Sequence, residues 1–308
     1  MSLSSRVKRA AKQIAFALTI PAERLIRLFP SFATNMYLAG PNGKLSQLIL
    51  QQQYKAIRQG LAAPMSFREI EFRAYSQNSE DGILLYIFGL IGFESRRCVE
   101  ICAGDGIECN TANLIINHGW NGLLFDGDPL RIKRGRAFYR SCRDTFAWPP
   151  KLVQAWVTAE NVNELIESHG FAGEIDLLSI DVDGMDYWIW RAIDVVRPRV
   201  VVIECCLHWG PERSVTVPYD PRFRAQYGPY GADYAGASVA AMVKLARAKG
   251  YRLIGCEKYG VNAFFLRSDL AQELLPEVSP AECLLHPYAQ FAMQYRHPKV
   301  AAKEWVEV

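Results

Sequence analysis

Between residues 98 and 203 short apolar runs alternate with helix-patterned stretches, and no other feature narrows the fold of this chain as much. The runs fall at 98–103, 122–125, 152–157, 175–180 and 200–203, with helical stretches between them at 111–116, 131–143, 162–169 and 187–193. Strand and helix in alternation build a parallel sheet wound on both faces, whose ligands sit beyond the carboxyl ends of the strands. Two further runs, 251–256 and 262–267, are joined by residues 257–261 alone. So short a link demands an antiparallel pair, because a parallel crossover takes about a dozen residues or more. The expected fold is α/β: a doubly wound, mostly parallel seven-stranded sheet with an antiparallel C-terminal hairpin strand, preceded by an N-terminal helical segment.

The first run ends in Ala103-Gly104-Asp105-Gly106. Glycines there let the backbone approach a bound molecule closely, and the next helix, with Asn110 or Thr111 as N-cap, would turn free amides toward the loop. Asp126 lies twenty residues past Gly106, where a nucleotide-binding βαβ unit places the acid that receives ribose hydroxyls. Acids stand at or just past the ends of four runs: Asp105, Asp126, Asp181 and Glu204. Equivalent positions on four strands predict a polar cleft along one edge of the sheet. Upstream, Ser76 or Ser79 can cap a helix whose first turn holds Glu80 and Asp81, favourable near the positive helix end. That helix leads into the first strand, so its polar start borders the expected cleft.

Residues 205–236 have no convincing periodicity and are rich in proline, glycine and aromatics, with His208, Trp209, Tyr227, Tyr230 and Tyr234 among them. Loops this long in a compact domain are usually lids or binding segments, and the aromatic content argues against disorder. The loop is assigned to enclosing a substrate.

Charge narrows little. The 35 basic and 32 acidic residues leave a net charge of +3, too balanced for nucleic-acid binding as the main task. The basic residues of 131–143 read as a solvated helix face. Eight cysteines show no paired CxxC knuckles, and several sit in apolar runs; they are expected to be reduced, buried hydrophobes in a reducing cytosol. The N-terminus carries Arg6, Lys8, Arg9 and Lys12 with no acid before Glu23, and its apolar stretch 14–20 is too short for the roughly 20 residues of a membrane span. It reads as an amphipathic basic helix, either packed on the domain or resting on an anionic membrane surface. A cytoplasmic protein with peripheral membrane contact through that helix is the corresponding expectation. The organisation expected is an N-terminal helical segment at 1–70, an α/β domain at 71–270 and a C-terminal tail at 271–308 packed on the domain, the tail without a legible motif.

The runs Ser76-Gln77-Asn78-Ser79-Glu80-Asp81-Gly82, 99–106, Leu124-Phe125-Asp126-Gly127-Asp128-Pro129 and 175–184 resemble those of class I S-adenosylmethionine-dependent methyltransferases, specifically the FkbM-type family. With the terminal hairpin the resemblance covers about residues 72–268. It implies a Rossmann-like sheet whose antiparallel seventh strand inserts beside the sixth, S-adenosyl-L-methionine as cofactor, and O-methylation of a sugar, glycan or related small-molecule acceptor. It also implies that Glu100 and Ala103, Gly104, Asp105 and Gly106 lie along the methionine part of the cofactor, with Asn110 at the start of the following helix. Asp126 would hold the ribose hydroxyls, and Trp156 and Val157 would border the adenine. Asp181 would face the methionine amino group or the acceptor, and Gln77 and Glu80 would lie near the cofactor. Two departures are visible: Cys102-Ala103 stands where a more typical member has glycine first, and Asp-Val-Asp-Gly at 181–184 replaces the usual Asp-Val-Glu-Gly.

Methyl transfer from a sulfonium needs an in-line nucleophile, and positioning alone supplies up to about 7–11 kcal/mol in well-oriented reactions. A hydroxyl acceptor also benefits from a base. Asp181, Glu204 and His208 are the candidates, the histidine favoured by an unperturbed pKa of ~6.5. Asp181 and Asp183 with Glu204 also suit a divalent cation through oxygen ligands, although spacing alone assigns no metal. Three other readings stay open. A nicotinamide-dependent oxidoreductase would use Asp126 in the same way, but Cys109 stands where its third glycine belongs; a glycosyltransferase would use Asp181-Val182-Asp183 as a metal-binding DxD; a non-catalytic module would keep the fold without the reaction.

Overall fold

The computed structural model describes residues 41–308. The basic N-terminal stretch lies outside the described residues. Residues 46–308 form one compact unit, whose first element is the continuation of helix α1, Pro41–Arg58. Among the described residues no helix is long and apolar enough to cross a membrane.

The central sheet comprises β1 (Arg97–Ile101), β2 (Asn121–Asp126), β3 (Lys151–Gln154), β4 (Gly173–Ile180), β5 (Val196–Glu204), β6 (Tyr251–Cys256) and β7 (Asn262–Arg267), in the order β3-β2-β1-β4-β5-β7-β6. Strands β1 to β5 run parallel. Strand β7 is antiparallel to both neighbours, as the five-residue link requires. The longer helices after α1 are α2 (Glu80–Ile91), α3 (Ala112–His118), α4 (Pro129–Ser141), α5 (Val162–Ser168), α6 (Asp186–Ala192) and α7 (Val239–Ala248).

Strands buried on both faces read as continuous apolar runs, and alternate residues go to opposite layers. Val99, Ile101, Leu123, Phe125, Leu178, Ile180, Val201 and Ile203 share a buried cluster with Val162 and Ile166 of α5, Ile189 and Trp190 of α6 and Met242 of α7. On the other face Gly122 meets Ile115 of α3, Leu152 meets Gly135 of α4, and the Phe264 ring contacts Phe67.

Two boundaries and one cysteine pair differ from the sequence pattern. Strand β5 begins at Val196 and runs through Pro198. The proline is tolerated because β7 pairs only with residues 200–204, which leaves the earlier part of β5 an edge with no amide required of it. Strand β3 ends at Gln154, after which the Ala155 amide makes the last bond of the ladder, to the Asp126 carbonyl at 3.0 Å, and Trp156 and Val157 stand in a loop. Cys256 and Cys283 are joined by a disulfide, which corrects the expectation of eight reduced cysteines for that pair. The other six are free, and all of them except Cys102 are buried.

The loop after β5 is braced by the end of the chain. Val215–Thr216 pairs with Val306–Glu307, and Gln226–Gly228 forms a hairpin with Gly231–Tyr234. Arg296, 3% exposed, donates to Asp233 Oδ1, Tyr288 Oη and the Ala232 carbonyl at 2.6–2.8 Å. Tyr288 in turn donates to the Tyr230 carbonyl at 2.8 Å.

Candidate active site

Two adjoining hollows open beyond the carboxyl ends of the strands. The larger, of about 770 Å³, is lined by Gln77 and Asn78 before α2, Cys102–Gly104 after β1, Asp181 and Asp183 after β4, Glu204–His208 at the end of β5, and Asn262 of β7. Tyr227, Tyr230, Tyr288 and Arg296 add the loop and tail side. The smaller, of about 60 Å³, lies between Asp126, Gly127, Trp156, Val157, Met185, Tyr219 and Phe223. Cys102 borders both hollows.

The loop after β1 divides between structure and site. Glu100 accepts from the Asn110 amide (3.0 Å), the Thr111 amide (2.9 Å), the Thr111 hydroxyl (2.6 Å) and the Ser179 hydroxyl (3.1 Å). A carboxylate offers about four acceptor sites, so this one is fully engaged in fastening the start of α3. Asn110 gives its side-chain amide to Ser179 Oγ at 3.1 Å. Asp105 accepts from the Ile107 amide at 3.0 Å and pairs with Arg134 at 3.2 Å, while Gly106 is buried against Leu124 and Tyr139. Glu100, Asp105, Gly106 and Asn110 line neither hollow. Ala103 and Gly104 do line the larger one.

Glu80 also lines neither hollow. It is fully buried, accepting from the Asn78 amide at 2.7 Å and the Asn262 side-chain amide at 2.6 Å. Asp81 gathers the Ala74, Tyr75 and Ser76 amides at 2.6–2.7 Å, so the polar run 76–82 is chiefly a self-bonded turn. Gln77 is the expected residue of this run that faces the cavity.

Asp126 sits differently. Its Oδ2 accepts from the Gly104 amide at 2.9 Å and its Oδ1 from the Asp128 amide at 2.8 Å. Oδ2 also takes the Cys102 thiol at 3.9 Å and lies 4.0 Å from Arg131 Nη1, so it is Oδ1 that keeps a further acceptor site on the border of the smaller hollow. Opposite it the Trp156 indole is anchored by donation to the Pro221 carbonyl at 2.8 Å, and the Arg224 guanidinium lies 4.1 Å from its ring centroid. A Cβ on Gly127 would come within 3.0 Å of that ring, so glycine is what admits the indole there.

In the larger hollow Asp181, Asp183 and Glu204 each present an oxygen within 4.8 Å of the others. Burial, and then the negative charges of Asp186 and Asp183, raise Asp181 above the ordinary carboxylate range. Burial and then Asp181 and Asp186 do the same to Glu204. Asp186 shapes the turn by accepting from the Val182 and Gly184 amides at 2.8 and 2.9 Å. Cys102 (φ 67°) and Asp183 (φ 53°) both hold left-handed backbone, a conformation that costs about 1–2 kcal/mol for a non-glycine residue. Strain of this kind gathers at functional sites.

His208 is a poor base here. Burial and the neighbouring Arg296 charge push its pKa down to about 4. Its Nδ1 lies 2.9 Å from Cys206 Sγ, and its Nε2 makes no hydrogen bond and stands 3.9 Å from Asp233. The preference for His208 as base is thereby reversed in favour of the two carboxylates.

Asn262, Tyr288 and Arg296 were not singled out from the sequence. The register of the terminal hairpin, which sets Asn262 opposite Glu204, is the one signal that pointed to any of them.

No protein-family model matches the chain, and no curated protein does. Among solved structures it is similar to an O-methyltransferase from Bacillus cereus in complex with SAH, at 15% identity and TM-score 0.32 over 53% of this chain and 67% of that one. It is also similar to the glycopeptide N-methyltransferase MtfA complexed with S-adenosyl-L-homocysteine, at 11% identity and TM-score 0.38 over 62% and 89% of the two chains. The CcbJ methyltransferase from Streptomyces caelestis matches at 12% identity and TM-score 0.38 over 63% and 91%. Likeness of this strength says nothing of ligand or reaction, and the architecture rests on the strand order itself.

Proposed function

We propose that the chain is an S-adenosylmethionine-dependent methyltransferase of FkbM type acting on a hydroxyl of a sugar, glycan or related small molecule. The observation that carries the reading is the pair of hollows meeting at Cys102, one backed by an acid and an aromatic wall, the other wide and acid-lined. Asp126 Oδ1 offers an acceptor site to a ribose hydroxyl, and Trp156 and Val157 offer an apolar wall for adenine. The backbone of Cys102–Gly104 leads from there into the larger cavity, where Gln77 and Asp181 would meet the methionine end. The cofactor supplies an activated methyl group; this chain's residues orient the acceptor and take up its proton.

With no cation bound to them, Asp181 and Glu204 are the bases that the geometry supports. The half-exposed Tyr227 and Tyr230 rings give a hydroxylated acceptor both stacking faces and hydrogen-bond partners. The test is incubation with methyl-labelled S-adenosylmethionine and a panel of mono- and oligosaccharides, with label read in the acceptor. Transfer that disappears in Asp181→Asn supports the reading. Cofactor binding without transfer to any hydroxylated acceptor, alongside transfer to amines, refutes the O-methyl assignment.

A further inference from the structure

The chain treats its inward-facing carboxylates in two opposite ways. Toward the amino ends of the strands Asp176, fully buried, receives the Glu94, Ser95 and Arg96 amides and the Arg199 guanidinium. Every acceptor site there is answered. At the carboxyl ends Asp181, Asp183 and Glu204 converge within 4.8 Å, and the charges acting on Asp181 are those of Asp186, Asp183, Glu100 and Glu80, all of them acids. Among the described residues no basic side chain pairs with the three. Confined carboxylates are ordinarily paired or coordinate a metal.

A second observation comes from another strand. Asn262, 5% exposed, lines the same cavity. Its amide nitrogen is held by Glu80, while its Oδ1 is buried with no hydrogen-bond partner. Asn262 lies directly opposite Glu204 in the antiparallel register, and residues so placed have Cβ atoms about 4.5–5.5 Å apart on the same sheet face. An amide oxygen beside three carboxylate oxygens is the donor set of a hard divalent cation.

We propose that Asp181, Asp183 and Glu204, with Asn262 Oδ1 beside them, bind a divalent oxygen-preferring cation of the Mg²⁺ or Mn²⁺ class. Four protein oxygens leave coordination positions open to the cavity, where oxygens of the acceptor fit. That last part rests on the methyl-transfer reading; the cation site does not. The set contains no sulfur or nitrogen donor, which disfavours zinc and copper.

The test uses the full-length protein, stripped with EDTA and dialysed. Mn²⁺ is titrated with the free-ion paramagnetic resonance signal as readout and Mg²⁺ as competitor. One Mn²⁺ per chain with an affinity better than about 1 mM is expected. Asp183→Asn and Glu204→Gln should each weaken it by about ten-fold or more, and Asp220→Asn, in the loop, should leave it unchanged. No saturable Mn²⁺ binding by folded protein, or equal binding in all three variants, overturns the proposal. Thermal melts of the variants in EDTA establish that they fold.

S-adenosylhomocysteine binding, measured in EDTA, separates the two readings. Saturable binding of it without any Mn²⁺ site overturns the cation and leaves methyl transfer standing; a Mn²⁺ site without it upholds the cation and removes methyl transfer. Its loss in Asp183→Asn, with no Mn²⁺ site in wild type, assigns the cluster to an ammonium group and overturns the proposal.

Discussion

Replacing Asp176 by asparagine tests whether the answered carboxylate is structural and the acid cluster is not. Asp176 Oδ2 takes the Ser95 and Arg96 amides at 2.7 and 2.6 Å and the Ser95 hydroxyl at 3.0 Å, while Oδ1 takes the Glu94 amide at 3.0 Å and Arg199 at 3.2 Å. In either orientation the NH₂ of an asparagine faces donors. If it faces the amides, buried N–H groups lose their acceptor, at about 1–3 kcal/mol. If it faces Arg199, a guanidinium 5% exposed loses its buried counter-charge, which costs about 3–5 kcal/mol when a partner is removed outright. Arg199 keeps the Gly92 and Ile91 carbonyls at 3.0 Å, and these soften the loss. The two costs share partners and do not add. Asp176→Asn should therefore lose about 3–4 kcal/mol, a large part of the roughly 5–15 kcal/mol by which domains are stable. Urea unfolding followed by circular dichroism reads this as a lower midpoint at unchanged slope. Asp183→Asn in chelator should be neutral or stabilising, because it removes one of several like charges. An Asp176→Asn unfolding free energy within about 0.5 kcal/mol of wild type, or an equal loss in Asp183→Asn, would refute this division.

Cys102→Gly should raise stability by about 0.5–1 kcal/mol, since glycine relieves the left-handed strain at φ 67° but adds entropy to the unfolded chain; a lower melting temperature would show the thiol to be more than a border of the two hollows. The raised carboxylates also set a pH dependence. Asp181 is moved from 3.8 to about 8, so in the absence of metal its contribution is complete below its unfolded pKa and is lost as pH rises through the folded one. Melting temperature in EDTA should fall as pH rises from about 5 to about 8 more steeply in wild type than in Asp181→Asn. Equal slopes would place the titration elsewhere.

The sheet was legible because its physics is local and repetitive. Runs such as Val200-Val201-Val202-Ile203 can be buried only from both faces, and five residues between the last two runs allow only an antiparallel return. The site was legible to the extent that each acid's partners could be foreseen. Asp126, Asp181 and Glu204 line hollows, whereas Glu100, Glu80 and Asp105, equally acidic and equally well placed along the chain, are engaged by amides, by Asn262 and by Arg134. What separates the two groups is which donors the fold brings near, and those donors are distant in sequence. The same holds for Cys256 and Cys283, 27 residues apart, and for Arg296, whose role in bracing the cavity wall depends on Asp233. Pro198 lies inside a strand because its neighbour on that side begins two residues later, a fact of pairing that no propensity records.

The central claim, a nucleoside-bearing sulfonium cofactor in the cleft between Asp126 and Trp156, is tested most directly by calorimetric titration with S-adenosylhomocysteine, NADH and a UDP-sugar with manganese. The wild-type protein is compared with Asp126→Ala. The account predicts micromolar binding of S-adenosylhomocysteine alone, lost in the variant. A signal from NADH or the nucleotide sugar with none from S-adenosylhomocysteine would contradict it, as would S-adenosylhomocysteine binding that Asp126→Ala leaves intact.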